Sequence, residues 1–160
     1  MVRKILIIGA GGIGSYLIPL LDKTGLYDIT VSDPDTIEEK NLTYQNFGHG
    51  EINLNKAVCM KSRYVDNLDA RRLLYRSSIA WLDLRSQGRN AAYISFKADP
   101  KMYDTMLAGP DGSFSCQGNS WDGSTSGIHW LHVAIAGMGA EWTQRWFNDE
   151  PVNGFAVVNV

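Results

Sequence analysis

Apolar residues fall in short blocks along this chain, and their spacing changes from block to block. Ile5, Leu6, Ile7 and Ile8 form a continuous run of buried-strand length; four glycines interrupt it, and apolar residues return at helical spacing as far as Leu21. This pattern predicts a strand over residues 4–8, a glycine turn, and a helix over 13–23. Arg3 and Lys4 ahead of the run prompt a secretory-signal reading, which fails on two counts. Gly9, Gly11, Gly12 and Gly14 would each cost about 1 kcal/mol in an apolar helix, and no small-residue cleavage site follows. A second strand is expected over 29–32, and a strand–helix–strand order makes the two strands parallel with a right-handed crossover.

Further along, residues 34–53 read as a loop lying over the site that the glycine turn forms. Residues 54–76 stay ambiguous. Leu54, Val58, Val65 and Leu68 nearly fit one helical stripe, but a helix to about residue 61, a short strand over 63–65 and a second helix from 68 fit as well. Residues 78–84 predict a strand with 90–97 as its antiparallel neighbour, followed by a long loop over 98–127. Ile128, Leu131, Ile135, Met138, Trp142 and Trp146 recur at steps of three and four, which predicts a final helix over 128–147. Gly137 and Gly139 would let that helix approach another backbone closely, and 155–160 is a possible edge strand. The expected class is α/β: a Rossmann-like three-layer fold, its sheet mostly parallel with antiparallel additions in the C-terminal half.

The glycine turn carries the first chemistry. Gly9 permits the tight turn, Gly11 admits a ligand close to the backbone, and Gly14 lets the helix pack on the sheet; Gly12 completes the run. Unpaired N–H groups at the helix start favour an anion such as a phosphate. Asp33 lies nineteen residues beyond Gly14, near the spacing of an acid that accepts a ribose hydroxyl.

Composition narrows the partners rather than the fold. At 160 residues the chain is read as one domain spanning 1–160. A net charge of −2 gives no reason to expect nucleic acid or an anionic membrane surface. After the first segment no stretch is long and apolar enough to cross a bilayer. Cys59 and Cys116 are too few for a disulfide framework or a structural zinc site, so a reduced, cytoplasmic setting is expected.

In chain order, "GAGGIGS", "SDPDTIEEKNLTYQ", "NKA" and "VDNLDARR" resemble the ThiF/MoeB family, the adenylating domains related to ubiquitin-activating enzymes. Asp33, Asp35, Asn41, Leu42 and Gln45 form the most specific phrase, and Asp66, Asn67 and Arg71 add to it. An NAD dehydrogenase would share the glycines and the acid, but not the asparagine–leucine pair and the glutamine. The resemblance implies ATP and Mg2+ as cofactors. It also implies attack by the C-terminal carboxylate of a small ubiquitin-like or sulfur-carrier protein on the α-phosphate. By position, Asp33 would hold the ribose, Lys56 the phosphates and Asn41 the triphosphate region, with Gln45 beside them. Asp66 would hold the magnesium, and Lys56, Asp66 and Arg71 would carry the catalysis.

The chain departs from the family pattern in its cations. Tyr44 stands where the family has an arginine, and the sequence begins at the first strand, so an arginine-bearing N-terminal arm is not expected. The zinc cysteine pairs are absent, and only ten residues separate Lys56 from Asp66. Arg63, Arg71 and Arg85 are candidate substitutes. Cys116 can be read as a sulfur or acyl acceptor or as an inert loop thiol, with no neighbouring cation to activate it. His129 and His132 have a spacing that can hold a metal, but no third ligand lies near them in sequence. Trp130, Trp142 and Trp146 on the last helix are more aromatic surface than one small sheet face covers, so a homodimer is expected. Two other functions stay open: a catalytically weak nucleotide-binding or dimerisation module of the same fold, and a small NAD-binding oxidoreductase.

Overall fold

The computed structural model describes residues 3–60, 63–64, 79–87, 90–103, 106–107 and 128–159. Contacts divide the chain into two compact units, Met1–Leu68 and Asp69–Val160.

The first unit is a parallel sheet with the crossover helix that the pattern predicts. Strand β1 (Arg3–Ile8) leads into helix α1 (Gly14–Asp22), and β2 (Tyr27–Ser32) returns parallel to β1 in a register that pairs Ile5 with Ile29 and Ile8 with Ser32. A two-residue strand β3 (Arg63–Tyr64) pairs parallel to β2, so β2 is the central strand of the three. Ile18 and Leu21 of α1 are buried, as are Ile7 of β1 and Val31 of β2. The stretch expected as a loop contains two short 3-10 turns, Glu39–Thr43 and His49–Glu51. A one-turn helix α2 (Lys56–Cys59) follows, capped by Asn55, whose side chain accepts the Val58 amide at 3.1 Å. Of the open readings for 54–76, a short helix and a strand at 63 are therefore realised; residues 65–76 lie outside the described residues.

The second unit is antiparallel. Strand β4 (Leu82–Gln87) pairs with β5 (Asn90–Ser95), and β5 pairs on its other side with β6 (Phe155–Asn159). The expected strand over 78–84 is thus displaced toward the C-terminus: Trp81 precedes the strand and is buried in a cluster with Ile94 and Ala98. Its aromatic ring meets Tyr103 edge-on at 4.9 Å. Helix α3 (Ile128–Phe147) has the expected length, and Leu131, Ile135 and Trp142 of its apolar stripe are buried. Gly139 makes room for a side chain rather than the expected backbone, since a Cβ there would lie 2.6 Å from a Leu84 methyl; Gly137 has nothing within 4 Å and needs no glycine. Parallel strands early and antiparallel strands late give the α/β class read from the sequence.

Candidate functional site

The site is built in the first unit, where β1 and β2 end side by side. Gly9 leaves β1 with φ +93°, a left-handed conformation that glycine adopts without strain, and its amide donates to the Ser32 carbonyl at 2.8 Å. Five residues later the start of α1 packs directly on this turn. A Cβ on Gly14 would lie 1.9 Å from the Gly9 carbonyl oxygen, so only glycine fits. Gly11 differs: its nearest neighbour to a notional Cβ is the Gln45 amide nitrogen at 3.9 Å, so the protein itself does not require glycine there.

Asp33 ties the turn to β2. The Ala10 amide donates to its Oδ2 at 2.5 Å and the Asp35 amide to its Oδ1 at 2.9 Å, with Asp33 only 5% exposed. Each oxygen keeps a second acceptor position. Asn55 clasps the same segment from the other side, donating its Nδ2 to the carbonyls of Asp33 at 3.0 Å and Asp35 at 3.2 Å. This holds Lys56 beside Asp35: its Nζ bonds Asp35 Oδ2 at 3.0 Å, the lysine side chain being buried and the aspartate largely exposed. That contact uses one of three ammonium donors.

The 3-10 turn after residue 38 brings the rest of the motif over the glycines. Asn41 is buried and uses both ends of its amide, accepting the Glu38 amide at 2.9 Å and donating to the Tyr44 hydroxyl at 2.9 Å. Tyr44 is itself buried, so the residue in place of the family arginine acts as a lock on Asn41. Gln45 is 6% exposed, and among the described residues its buried Oε1 has no hydrogen-bond partner. Such an atom is costly unless a ligand or water donates to it.

The N-terminus of α1 meets the same space. Ile13 at its cap makes no side-chain hydrogen bond, and no acidic residue lies in the first turn. Three of the first amides of α1 are already bonded, Ser15 to the Gly11 carbonyl at 3.0 Å and Tyr16 and Leu17 to that of Ile13 at 3.1 and 3.0 Å, so the attraction for an anion comes from the helix dipole rather than from these amides. A phosphate-bearing ligand with hydroxyl donors fits this set: the positive end of a helix for phosphate, an open face at Gly11, and acceptors on Asp33 and Gln45.

The remaining candidates lie elsewhere. Asp66, Arg71 and Cys116 are outside the described residues, as are the side chains of Arg63 and His129. Arg85, in the second unit, is buried and committed to the Asp83 carboxylate at 2.9 Å and to the carbonyls of Met106 and Tyr103. His132 is fully buried in α3. Burial pushes the Cys59 thiol up, with Glu51 adding to the shift, so it is not an activated nucleophile. Trp142 and Trp146 stack at 6.0 Å against Phe96 within the second unit, while Trp130 is 65% exposed. No helix among the described residues is long and apolar enough to cross a membrane.

Two contributors escaped the sequence reading, Asn55 and the pair Ser15–Asn46. Asn46 donates its amide to Ser15 Oγ at 3.0 Å and its Nδ2 to the Ser15 carbonyl at 3.2 Å. An asparagine just before a helix is a visible cap signal. The second link had a signal in Pro19, four residues after Ser15, which leaves the Ser15 carbonyl without its helical donor.

A parallel pair joined through a glycine turn and an uncapped helix, with an acid closing the turn from β2, defines a Rossmann-like α/β unit. Residues 2–69 match the model of the ThiF family, the family that the motifs resemble. A 55-residue segment is 44% identical to the adenylyltransferase and sulfurtransferase UBA4 of Yarrowia lipolytica, covering 34% of this chain and 14% of that protein. The fold as a whole is similar to that of the microcin C7 biosynthetic enzyme MccB in complex with N-formylated MccA. That match has a TM-score of 0.75 and 14% identity, over 99% of this chain and 62% of that one. Escherichia coli MccB solved with ATP matches with a TM-score of 0.70 and 14% identity, over 99% and 60%. The chain therefore spans less than two thirds of the length of each of these relatives.

Proposed function

We propose that this protein binds ATP at the glycine turn and adenylates the C-terminal carboxylate of a small ubiquitin-like or sulfur-carrier protein, residues 1–160 acting as one adenylating domain. The observation that carries the reading is Gln45, a buried acceptor without a donor, held over Gly11 beside an uncapped helix N-terminus. The UBA4 relative, an adenylyltransferase and sulfurtransferase, supports the chemistry, and MccB, which shares the fold, has been solved with ATP and in complex with N-formylated MccA.

In this reading the glycine turn and the positive end of the α1 dipole receive phosphate, and Asp33 accepts a ribose hydroxyl on its free acceptor positions while it fixes the turn. Lys56 turns its remaining donors to the phosphates. Bound ATP supplies the electrophilic α-phosphorus: a carboxylate oxygen of the carrier bonds to it, the bond to the bridging oxygen breaks, and pyrophosphate leaves with that electron pair. Asp66 is assigned to magnesium, and Arg71 to the departing pyrophosphate, on motif position alone. Homodimerisation is proposed through the α3 face that exposes Trp130, in a cytoplasmic setting.

Tyr44 favours a slower variant of the same function. Its hydroxyl occupies Asn41, and position 44 itself carries no charge. One oriented charge is worth about 3–4 kcal/mol in such a transition state, or about 10²–10³ in rate. Nucleotide binding near the family norm with slow, carrier-dependent adenylation is the expected behaviour. Exchange of labelled pyrophosphate into ATP, measured across a panel of small carrier proteins, tests it. Exchange that appears only with one carrier supports the proposal; tighter binding of NAD than of ATP overturns it.

A further inference from the structure

The amide of Asn46 and its side chain both reach the first turn of α1, a contact that neither the motif nor the proposed chemistry uses. Helix α1 contains Pro19, which has no N–H to donate to the Ser15 carbonyl and whose ring crowds that oxygen. Ser15 is fully buried, so a carbonyl left there without a donor would be costly. Asn46 Nδ2 fills the vacancy at 3.2 Å, and the Asn46 amide adds a bond to Ser15 Oγ at 3.0 Å. Ser15 is anchored in turn on the glycine loop, its amide donating to the Gly11 carbonyl at 3.0 Å. The residue before Asn46 is Gln45, whose amide nitrogen is the nearest atom to a notional Gly11 Cβ and whose Oε1 is buried without a partner.

We infer that Pro19, Ser15 and Asn46 form a positioning relay: the proline frees a carbonyl in α1 so that Asn46 can dock on it and hold Gln45 over Gly11. Asn46 is a positioning residue, acting on the ligand through Gln45. The inference rests on the proposed nucleotide site for its functional half, while its structural half stands on the unliganded protein.

The experiment uses the full-length protein in two arms. Without nucleotide, amide hydrogen exchange over residues 45–47 reads the docking. Asn46→Ala should speed exchange there by about tenfold, the worth of one buried hydrogen bond. In a Pro19→Ala background, where residue 19 again donates to Ser15, the same change should have a clearly smaller effect. With ATP, Asn46→Ala should weaken binding about tenfold in the parent and leave it unchanged in a Gln45→Ala background. An equal exchange effect with and without Pro19 overturns the relay, as does an affinity loss that persists without Gln45. If the parent does not bind ATP, the functional reading fails, and the exchange arm still decides whether Asn46 docks through the proline-freed carbonyl.

Discussion

Removing the Asp33 carboxylate should unlatch the glycine turn, and its cost can be worked from the bonds it accepts. Asp33→Ala deprives two amides of their acceptor, those of Ala10 and Asp35. They are not equivalent. Ala10 is completely buried, so its amide stays unsatisfied at about 1–3 kcal/mol. Asp35 is exposed, and water can replace the lost bond at little cost. Losing charge-assisted hydrogen bonds puts the total at about 2–3 kcal/mol. Asp33→Asn keeps one acceptor oxygen; turned toward Ala10 it saves the expensive bond, and the cost falls to about 1 kcal/mol. Urea unfolding of both variants measures this, with midpoints compared at constant slope. Titration with ATP should show affinity falling in the same order, because the turn that presents the amides has moved. Wild-type stability in Asp33→Ala would show that the carboxylate does not latch the turn. Equal costs for alanine and asparagine would show that the charge matters rather than the two accepted bonds.

Gly14→Ala should cost about 3 kcal/mol or more, because its methyl overlaps the Gly9 carbonyl, while Gly11→Ala should unfold like the parent yet lose ATP affinity; thermal melts and calorimetry separate the two. Tyr44→Phe strips the acceptor from Asn41 Nδ2 and should destabilise by about 1–2 kcal/mol in urea. In a Cys116→Ser variant, Cys59 should react with a disulfide reagent more slowly than a free cysteine at pH 8, its rate still climbing above pH 9. Burial raises the thiol, so the protonated form persists to higher pH in the folded protein.

Local signals carried much of the fold into view. The first strand, the glycine turn and α1 were readable because their periodicity and breakers agree. The long apolar stripe of α3 was readable for the same reason. The strand expected over 78–84 was misplaced because Trp81 and Leu82 look alike in an apolar count. Trp81 packs in a tertiary cluster with Ile94 and Ala98, and the strand begins at Leu82, four residues after the expected start. At the site, the spacing of Asp33 from the glycines named the acid but not its second task of latching Ala10. Tyr44 could be noticed as a missing arginine, whereas its lock on Asn41 depends on a 3-10 turn that the sequence did not announce. Asn46 was hidden for a different reason. Its partner lies 31 residues away and is available only because Pro19 lacks a proton.

Mass spectrometry of a candidate carrier after incubation with this protein and ATP tests the central claim most directly. The account predicts a carrier heavier by one AMP at its C-terminal carboxylate, with pyrophosphate formed in equal amount and no modification when that carboxylate is amidated. ATP consumed to ADP and phosphate with the carrier unchanged, or an AMP attached away from the C-terminus, would contradict it.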